Sequence, residues 1–481
     1  MSDVLESWDR LREPLNAEQR ASRKGPYAYY GANGQVDSID AYRYDGDYLL
    51  VAEDGGYFDQ PERGVAYMAS GRFWVNNHAH VLQARGDLPL RYFLYALNAI
   101  NWMPHVGGST RLKLTAGALA RVPVALPPLN EQWRIVEKLD AIFEQTRAAK
   151  ARLERLPGLL DKLKRSILAA AFRGDLTADW RATHPDVEPA SALLSGLQER
   201  RRSERSKRHD HDEAIDGLFT VPSTWEWSRF ADIASDLRGG TSTRAENAES
   251  QWPVLRSSAV RQGKIDFSDV RYLASGHEEV DADLVRTGDL LFTRLSGTLE
   301  YVGNCAVVDV PPERPTYYPD RIFRAQLDSS FLCADFVALA FSVQSLRGAL
   351  ETAAKSTAGH QRISLSDLRE FVLPVPPFAE QKEIARRTRA VLEAVSEMGS
   401  RLERSHVRLT NLEQGALAKA FRGELVAQDP TDEPTATLIE RLRATDAVGA
   451  PPATSRTRTP NGKRKLPLVR RSREASEGAE G

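Results

Sequence analysis

The stretch LPPLNEQWRIVEKLDAIFEQTRAAKARLERLPGLLDKLKRSILAAAFRGDL occupies Leu126–Leu176, and VPPFAEQKEIARRTRAVLEAVSEMGSRLERSHVRLTNLEQGALAKAFRGEL occupies Val375–Leu425. At a constant offset of 249 they align without a gap, and 20 of the 50 positions from Pro127 to Leu176 are identical. Such gap-free identity is an internal duplication. In the first copy Ile135, Leu139, Ile142, Thr146, Ala149, Leu153, Leu156, Leu160, Leu163, Ile167 and Ala170 follow one another at alternating steps of four and three. That is a heptad seam. The second copy reads Ile384, Thr388, Val391, Val395, Met398, Leu402, Ser405, Leu409, Leu412 and Ala416 in the same register, with Thr388 and Ser405 weakening the stripe.

A heptad seam needs a partner, so the pattern predicts two long helices paired as an antiparallel coiled coil. A helix of about 40 residues would be about 60 Å long. A double proline precedes each copy, and the string FRG places Gly174 or Gly423 where a helix would stop. Pro157 lies inside the first seam and should break that helix near Leu156. The duplication extends upstream: RLKLTAGAL from Arg111 aligns with HQRISLSDL from His360, pairing Lys113 with Arg362 and Thr115 with Ser364. Thr115 and Ser364 read as helix N-caps.

The sequence before each copy is unlike. YAYYGANGQVDSID, GDYLLVAEDGG and FWVNNHAHVLQ precede the first; WEWSRFADI, GDLLFTRLSGTLEYVGNCAVVDV and DRIFRAQLD precede the second. Both are short strand patterns punctuated by Gly, Asn and Asp. The chain is thus predicted to be α+β, with two α/β-type globular domains separated by two long helices and a pseudo-two-fold internal repeat. The expected boundaries are 1–126 and 217–375 for the globular domains, 127–180 and 376–428 for the helical repeats, 181–216 for a linker or an irregular helix and 429–481 for a disordered basic tail.

At 481 residues the chain is long enough for two to four domains. Its 41% hydrophobic and 27% charged content is that of a soluble protein, and no apolar run is long enough to span a bilayer. The charged start MSDVLESWDRLREPLN lacks the apolar core of a signal peptide, which places the protein in the cytoplasm. Only Cys305 and Cys333 occur, too few for a disulfide framework. The net charge of −1 carries no argument for nucleic acid, so local distribution must supply one.

Variable domain, repeated helix, variable domain, repeated helix is an order that resembles the specificity subunit of type I restriction-modification systems. YYGANG, LLVAEDGG and VNNHAHVL are similar to one recurrent class of target recognition domain; WEW, LRSSAVRQGKID, GDLLFTRLSG and VGNCAVV to a second; LPPLNEQ, VPPFAEQ and the RLER…FRGDL run to the family's central repeats. The resemblance covers residues 1 to about 428. It implies that the globular domains are target recognition domains, each reading one half of a bipartite asymmetric double-stranded DNA target. It also implies that the helices dock two methyltransferase subunits and, through them, restriction and translocase subunits. S-adenosylmethionine, ATP and magnesium would belong to those partners, with no cofactor on this chain. A coiled-coil scaffold without sequence readout is the alternative.

No catalytic constellation is found. VPPF at Val375–Phe378 lacks the polar first residue of the amino-methyltransferase Asn/Asp-Pro-Pro-Phe/Tyr motif, and no phosphate-binding loop is present. His78 and His80 alternate and could share a metal, but no third ligand is evident, so packing or hydrogen bonding is the preferred reading. Arg can grip guanine and Asn or Gln adenine, while Ser, Thr and Lys hold phosphate. On that basis the candidate DNA contacts are Asn76, Asn77, Ser109, Thr110, Arg111, Lys113, Arg256, Ser257, Arg261, Arg294, Ser296, Lys355, His360, Gln361 and Arg362.

Overall fold

A computed structural model describes residues 1–204, 218–274, 281–357 and 360–449. The chain divides into two compact units, Met1–Glu154 with Glu403–Gly481 and Arg155–Leu402. Both divisions fall inside the duplicated RLER string, at Arg152–Arg155 and Arg401–Arg404. Each unit therefore contains one globular module, the start of the helical repeat that follows it and the end of the other repeat.

The first repeat is two helices, Leu129–Leu153 and Leu156–Arg173, and the second is one helix, Phe378–Phe421. Pro157 sits in the first turn of Leu156–Arg173. There its missing N–H has no intrahelical acceptor to lose, so proline is tolerated once the preceding turn has broken. Gly174 and Gly423 close the helices with φ of 83° and 75°, a left-handed conformation that favours glycine. At the other end, buried Gln132 and Gln381 each donate Nε2 to the carbonyl of the first proline, Pro127 or Pro376, at 2.9 Å. The same glutamine thus fixes the entry turn of both helices.

In the first unit Leu129–Leu153 packs against the end of the second repeat. Ile135, Val136 and Leu139 share a core with Ala416, Leu417 and Ala420, while Thr146 Oγ1 and Lys150 Nζ donate to Glu413 at 2.5 and 2.6 Å. The later residues of one helix meet the earlier residues of the other, so the pair runs antiparallel. In the second unit the equivalent positions Leu168, Ala171, Phe172, Ile384 and Ala385 share one core. Burial fades toward the middle of the repeats. Leu163 and Leu412, equivalent positions predicted in the seam, are 41% and 54% exposed. Leu153, Leu160, Val391, Leu402 and Leu409 are half-buried. Only the helix ends are covered by a globular module as well as by each other, and this accounts for the gradient.

The modules follow one logic. In the first, an antiparallel sheet ordered Leu5–Ser7, Ala79–Ala84, Tyr48–Ala52, Ala66–Ala69 lies beside a mixed sheet ordered Gly34–Ile39, Lys24–Gly31, Arg72–Val75, Tyr44–Asp45. Successive side chains of Tyr48–Ala52 point to opposite faces. Leu49 and Val51 enter the core shared with the helices, and Tyr48 and Leu50 enter a separate core with Tyr44, Phe73 and Val75. In the second module Leu290–Thr293 does the same. Leu290 and Phe292 join the helical core, and Leu291 joins Leu255, Ala306 and Ile322.

One expectation is resolved and one corrected. The stretch 181–216, expected as a linker or an irregular helix, holds the end of helix Ala178–Thr183 and the helix Ala190–Glu204, and Leu193 and Leu197 are buried in the core of the second unit. The predicted disordered tail holds the helix Thr435–Gly449, with Leu438 and Leu442 buried in the core of the first. Both helices follow a proline, Pro189 or Pro434, and each buries two leucines four apart. Leu193, Leu194 and Leu197 in one, and Leu438, Ile439 and Leu442 in the other, form one short apolar turn each in an otherwise mostly small or polar run, too little to register as a long amphipathic helix. Residues 205–217 and 450–481, with their basic strings, lie outside the described residues.

Candidate nucleic-acid interface

In the first unit four loops converge around Asp54. Its carboxylate pairs with His78 Nδ1 and with Arg111 Nη2, the latter at 3.2 Å. Beside it, Asn33 in the hairpin turn donates to the Gly55 carbonyl at 3.0 Å, and Gly55 N–H donates to the Leu112 carbonyl at 3.3 Å. A Cβ on Gly55 would lie 3.0 Å from Arg111 Nη2 and would require a φ of 68°, so glycine is what lets the guanidinium lie against this loop. Lys113 Nζ contacts Glu53 at 3.2 Å. Burial alone would lift Glu53, but hydrogen bonds from Arg12 and Lys113 outweigh it and hold the carboxyl below its ordinary range.

The strand behind these loops is pinned by buried His80, whose Nδ1 meets Asp9 Oδ2 at 2.6 Å and whose Nε2 meets the Leu114 carbonyl at 2.9 Å. His78 and His80 are thus each engaged with a different carboxylate. Burial pushes Asp9 up, and the His80 hydrogen bond with the Val81 N–H reverses the sign and leaves it lowered. Asn77, Ser109, Thr110, Arg111 and Lys113 are all exposed. Asn76 is not. It is 8% exposed and its Oδ1 accepts the His78 N–H at 2.7 Å. Asn76 shapes the turn that presents Asn77, a local Asx bond that residue type alone does not distinguish from base reading.

In the second unit a cleft of about 770 Å³ is lined by Arg244, Arg256, Ser257, Arg271, Asp320 and Arg321, among others. Arg256 and Ser257 were predicted; Arg244, Arg271 and Arg321 were not. Arg244 follows GGTST, a turn string whose Ser and Thr residues were the available signal. Among the described residues Arg244, Arg271 and Arg321 form no ion pair, whereas Arg256 lies 3.6 Å from Asp269. Arg294 donates to the Asp320 carbonyl at 3.0 Å and packs over Phe323, which joins the cleft to a small sheet.

That sheet is ordered Leu295–Ser296, His360–Arg362, Lys355–Thr357. Its register sets Ser296 opposite Gln361 and Lys355 opposite Arg362, bringing two sequence-distant predicted loops together. His360 and Arg362 are exposed and Gln361 and Ser296 half-buried. Arg261 lies over the Tyr301 ring, 4.7 Å from its centroid, and is held by that contact. The Thr115 and Ser364 caps follow the two loops directly: Thr115 accepts from Ala118 N–H, and Ser364 and Asp367 form a reciprocal capping box. In both units, then, the basic loop leads through a capped short helix into the helical repeat.

Two unlike modules on a duplicated helical frame, each with Arg and other polar side chains on clustered loops, define a DNA-recognition class of protein. Residues 1–157 match the type I restriction modification DNA specificity domain. The chain is 31% identical over 346 residues to the EcoKI specificity subunit of Escherichia coli (strain K12), covering 70% of this chain and 67% of that protein. It is 27% identical over 471 residues to the EcoDI specificity subunit of Escherichia coli, covering 91% and 93%. The chain belongs to the family of type I restriction-modification specificity subunits. Its fold is shared, with a TM-score of 0.57 at 15% identity, by a chain from a structure on complex assembly and conformational transition of the type I R-M system, covering 88% of this chain and 98% of that one.

Proposed function

We propose that this chain reads a bipartite, asymmetric double-stranded DNA target, one half through the loops around Asp54 and the other through the cleft at Arg256 and Arg321 with its adjoining sheet. The observation that carries the reading is the exchange of helical ends. It gives two units with the same frame and unlike readers. Two similar frames in one chain supply approximate two-fold symmetry, which suits two copies of one methyltransferase subunit. Restriction and translocase subunits would join through the methyltransferase. The paired helices act as an antiparallel coiled coil that sets the separation of the half-sites.

The chain is non-catalytic in this reading, and S-adenosylmethionine, ATP and magnesium belong to its partners. No helix among the described residues is long and apolar enough to cross a membrane, and a cytoplasmic location suits a protein that meets cellular DNA. The test is to map methylated adenines in DNA from a host carrying this chain with its methyltransferase. A two-part motif with a fixed non-specific spacer is expected. A scaffold without readout would leave no motif.

A further inference from the structure

Each module sets one of its helices against the start of a repeat helix, and the two crossings differ in size and in charge. In the first unit the helix Leu90–Asn98 meets Leu129–Leu153: Arg91 pairs with Asp140 at 2.5 Å, and one turn further on Tyr95 stacks on Phe143 with ring centroids 5.3 Å apart. In the second unit the helix Ala334–Ala340 meets Phe378–Phe421, and Asp335 pairs with Arg389 at 2.5 Å.

The two ion pairs occupy equivalent positions. Asp140 and Arg389 correspond through the repeat offset, while Arg91 and Asp335 each stand second after the N-cap of their helix, Pro89 or Cys333. The pair is kept and its charges are exchanged between the helices. The same correspondence turns Phe143 into Leu392 and Tyr95 into Leu339, so a stack of two rings in one unit is a pair of leucines in the other. Two leucines fill less space than two rings, and the second unit has an open cleft of about 530 Å³ at this crossing. Val307, Ala338, Leu339 and Leu392 give it an apolar wall, and the exposed acids Asp309 and Glu393 also line it. Among the described residues neither acid forms an ion pair, and Arg389, which shares the lining, is already held by Asp335. Burial raises the pKa of Asp309, with Asp335 adding to the rise and Arg389 opposing it without reversing it. The cleft is short of positive charge.

We propose that this cleft receives an aromatic side chain of a partner polypeptide, with a lysine or arginine beside it in the partner's sequence reaching Asp309 and Glu393. The first unit supplies the template for the ring, since Tyr95 and Phe143 fill the equivalent crossing there. A ring brings a large apolar area with few rotatable bonds. The acids select the flanking charge, because a cation complements carboxylates that lack a partner. They also select a polypeptide over a nucleic acid, whose phosphates an acidic rim would repel. The inference does not rest on the DNA reading, because none of the candidate DNA contacts lines this cleft.

The probe is the tripeptide acetyl-Lys-(para-fluorophenylalanine)-Lys-amide, titrated into the full-length protein and followed by fluorine NMR. A saturable change of the signal is expected below about 5 mM, a range that registers weak association. The counterpart flanked by Glu carries the same ring with the opposite charge and should bind at least about fivefold more weakly. Asp309→Asn combined with Glu393→Gln should remove that preference while the ring still binds. Leu339→Tyr combined with Leu392→Phe rebuilds the stack of the first unit and should abolish the change. The acid substitutions alter exposed positions only, so they test the cleft whether or not the filled variant folds. No saturable change up to about 5 mM would overturn the proposal. So would equal binding of the two peptides by the unaltered protein, or a preference for lysine that persists once both acids are neutralised.

Discussion

The first unit holds its exposed cations against acids, Arg111 on Asp54 and Lys113 on Glu53, whereas the second presents Arg244, Arg271 and Arg321 around a cleft without such partners among the described residues. The frames beneath these faces are alike down to the glutamine that fixes each entry turn. Frame positions answer to one another through a shared core, while the exposed loop positions of the two modules share no such constraint and are free to differ.

The widest consequence of that division is modularity. Exchanging residues 1–126 for another domain of the same family should replace one half of the methylated motif and leave the other half intact. A motif that changed in both halves would show that the readers are coupled through the frame, and the comparison would fail.

Next in size is the contrast between two buried carboxylates at equivalent positions of the repeats, Glu380 and Glu131. Glu380→Ala strands the buried Trp225, Thr177 and Arg181 donors, and breaking such a buried set costs about 3–5 kcal/mol. Glu131→Gln removes a buried carboxylate that accepts no hydrogen bond among the described residues, so it should be neutral or stabilising. The sign follows from linkage. Burial raises the pKa of Glu131 in the folded state, so its contribution is present at low pH and is lost as pH rises through the folded value. The advantage of Glu131→Gln over wild type should therefore grow with pH through that range, in denaturant titrations of the full-length protein. Equal destabilisation by both substitutions would erase the distinction between the two carboxylates.

How far each feature could be read in advance follows the same division. The repeat, the break at Pro157 and the caps at Thr115 and Ser364 were legible, because helix periodicity and capping depend on neighbours in sequence. The helix Thr435–Gly449 was not, and Ala190–Glu204 stayed open between linker and irregular helix, because buried leucines in a polar run gain their meaning from a core assembled elsewhere in the chain. Leu163 and Leu412 show the converse: a heptad position is buried only where something covers it. Among the candidate contacts, residue type picked out Arg111 and Arg256, which the fold exposes, and Gln361, which it leaves half-buried, but could not foresee that Asn76 is buried with its amide oxygen accepting the His78 N–H. It passed over Arg271 and Arg321, which lie far apart in sequence and share one cleft through the fold.

A smaller effect tests the electrostatic difference between the faces. Arg321→Ala or Arg271→Ala should lower the slope of log affinity against log salt by about 1 for each phosphate no longer neutralised, in titrations with non-specific duplex. In the first unit Asp54→Asn should act in the opposite direction. It frees Arg111 from its ion pair and raises low-salt affinity a few-fold without altering the motif. If Asp54→Asn weakened binding, the acid would be orienting Arg111 toward DNA rather than competing with DNA for it.

The smallest expected change is one of spacing. The helix Phe378–Phe421 is 44 residues long and runs through the second RLER string; the first repeat breaks at the equivalent place. Four residues inserted after Arg155 and four after Arg404 would lengthen both repeats equally and keep every duplicated position matched. Each insertion adds about 6 Å of helix, against about 3.4 Å per base pair, so the non-specific spacer should grow by one or two base pairs. Rotation selects between them. Four residues turn the helix about 40° beyond a full turn, and each base pair turns DNA by about 35°, so one added base pair nearly restores the phase. The half-site sequences should stay the same, since no reader residue is touched. An insertion variant that still assembles with its methyltransferase and methylates the original spacing would mean that the helices dock partners without setting distance. The separation of the half-sites would then have to come from bending of the DNA or from the partners themselves.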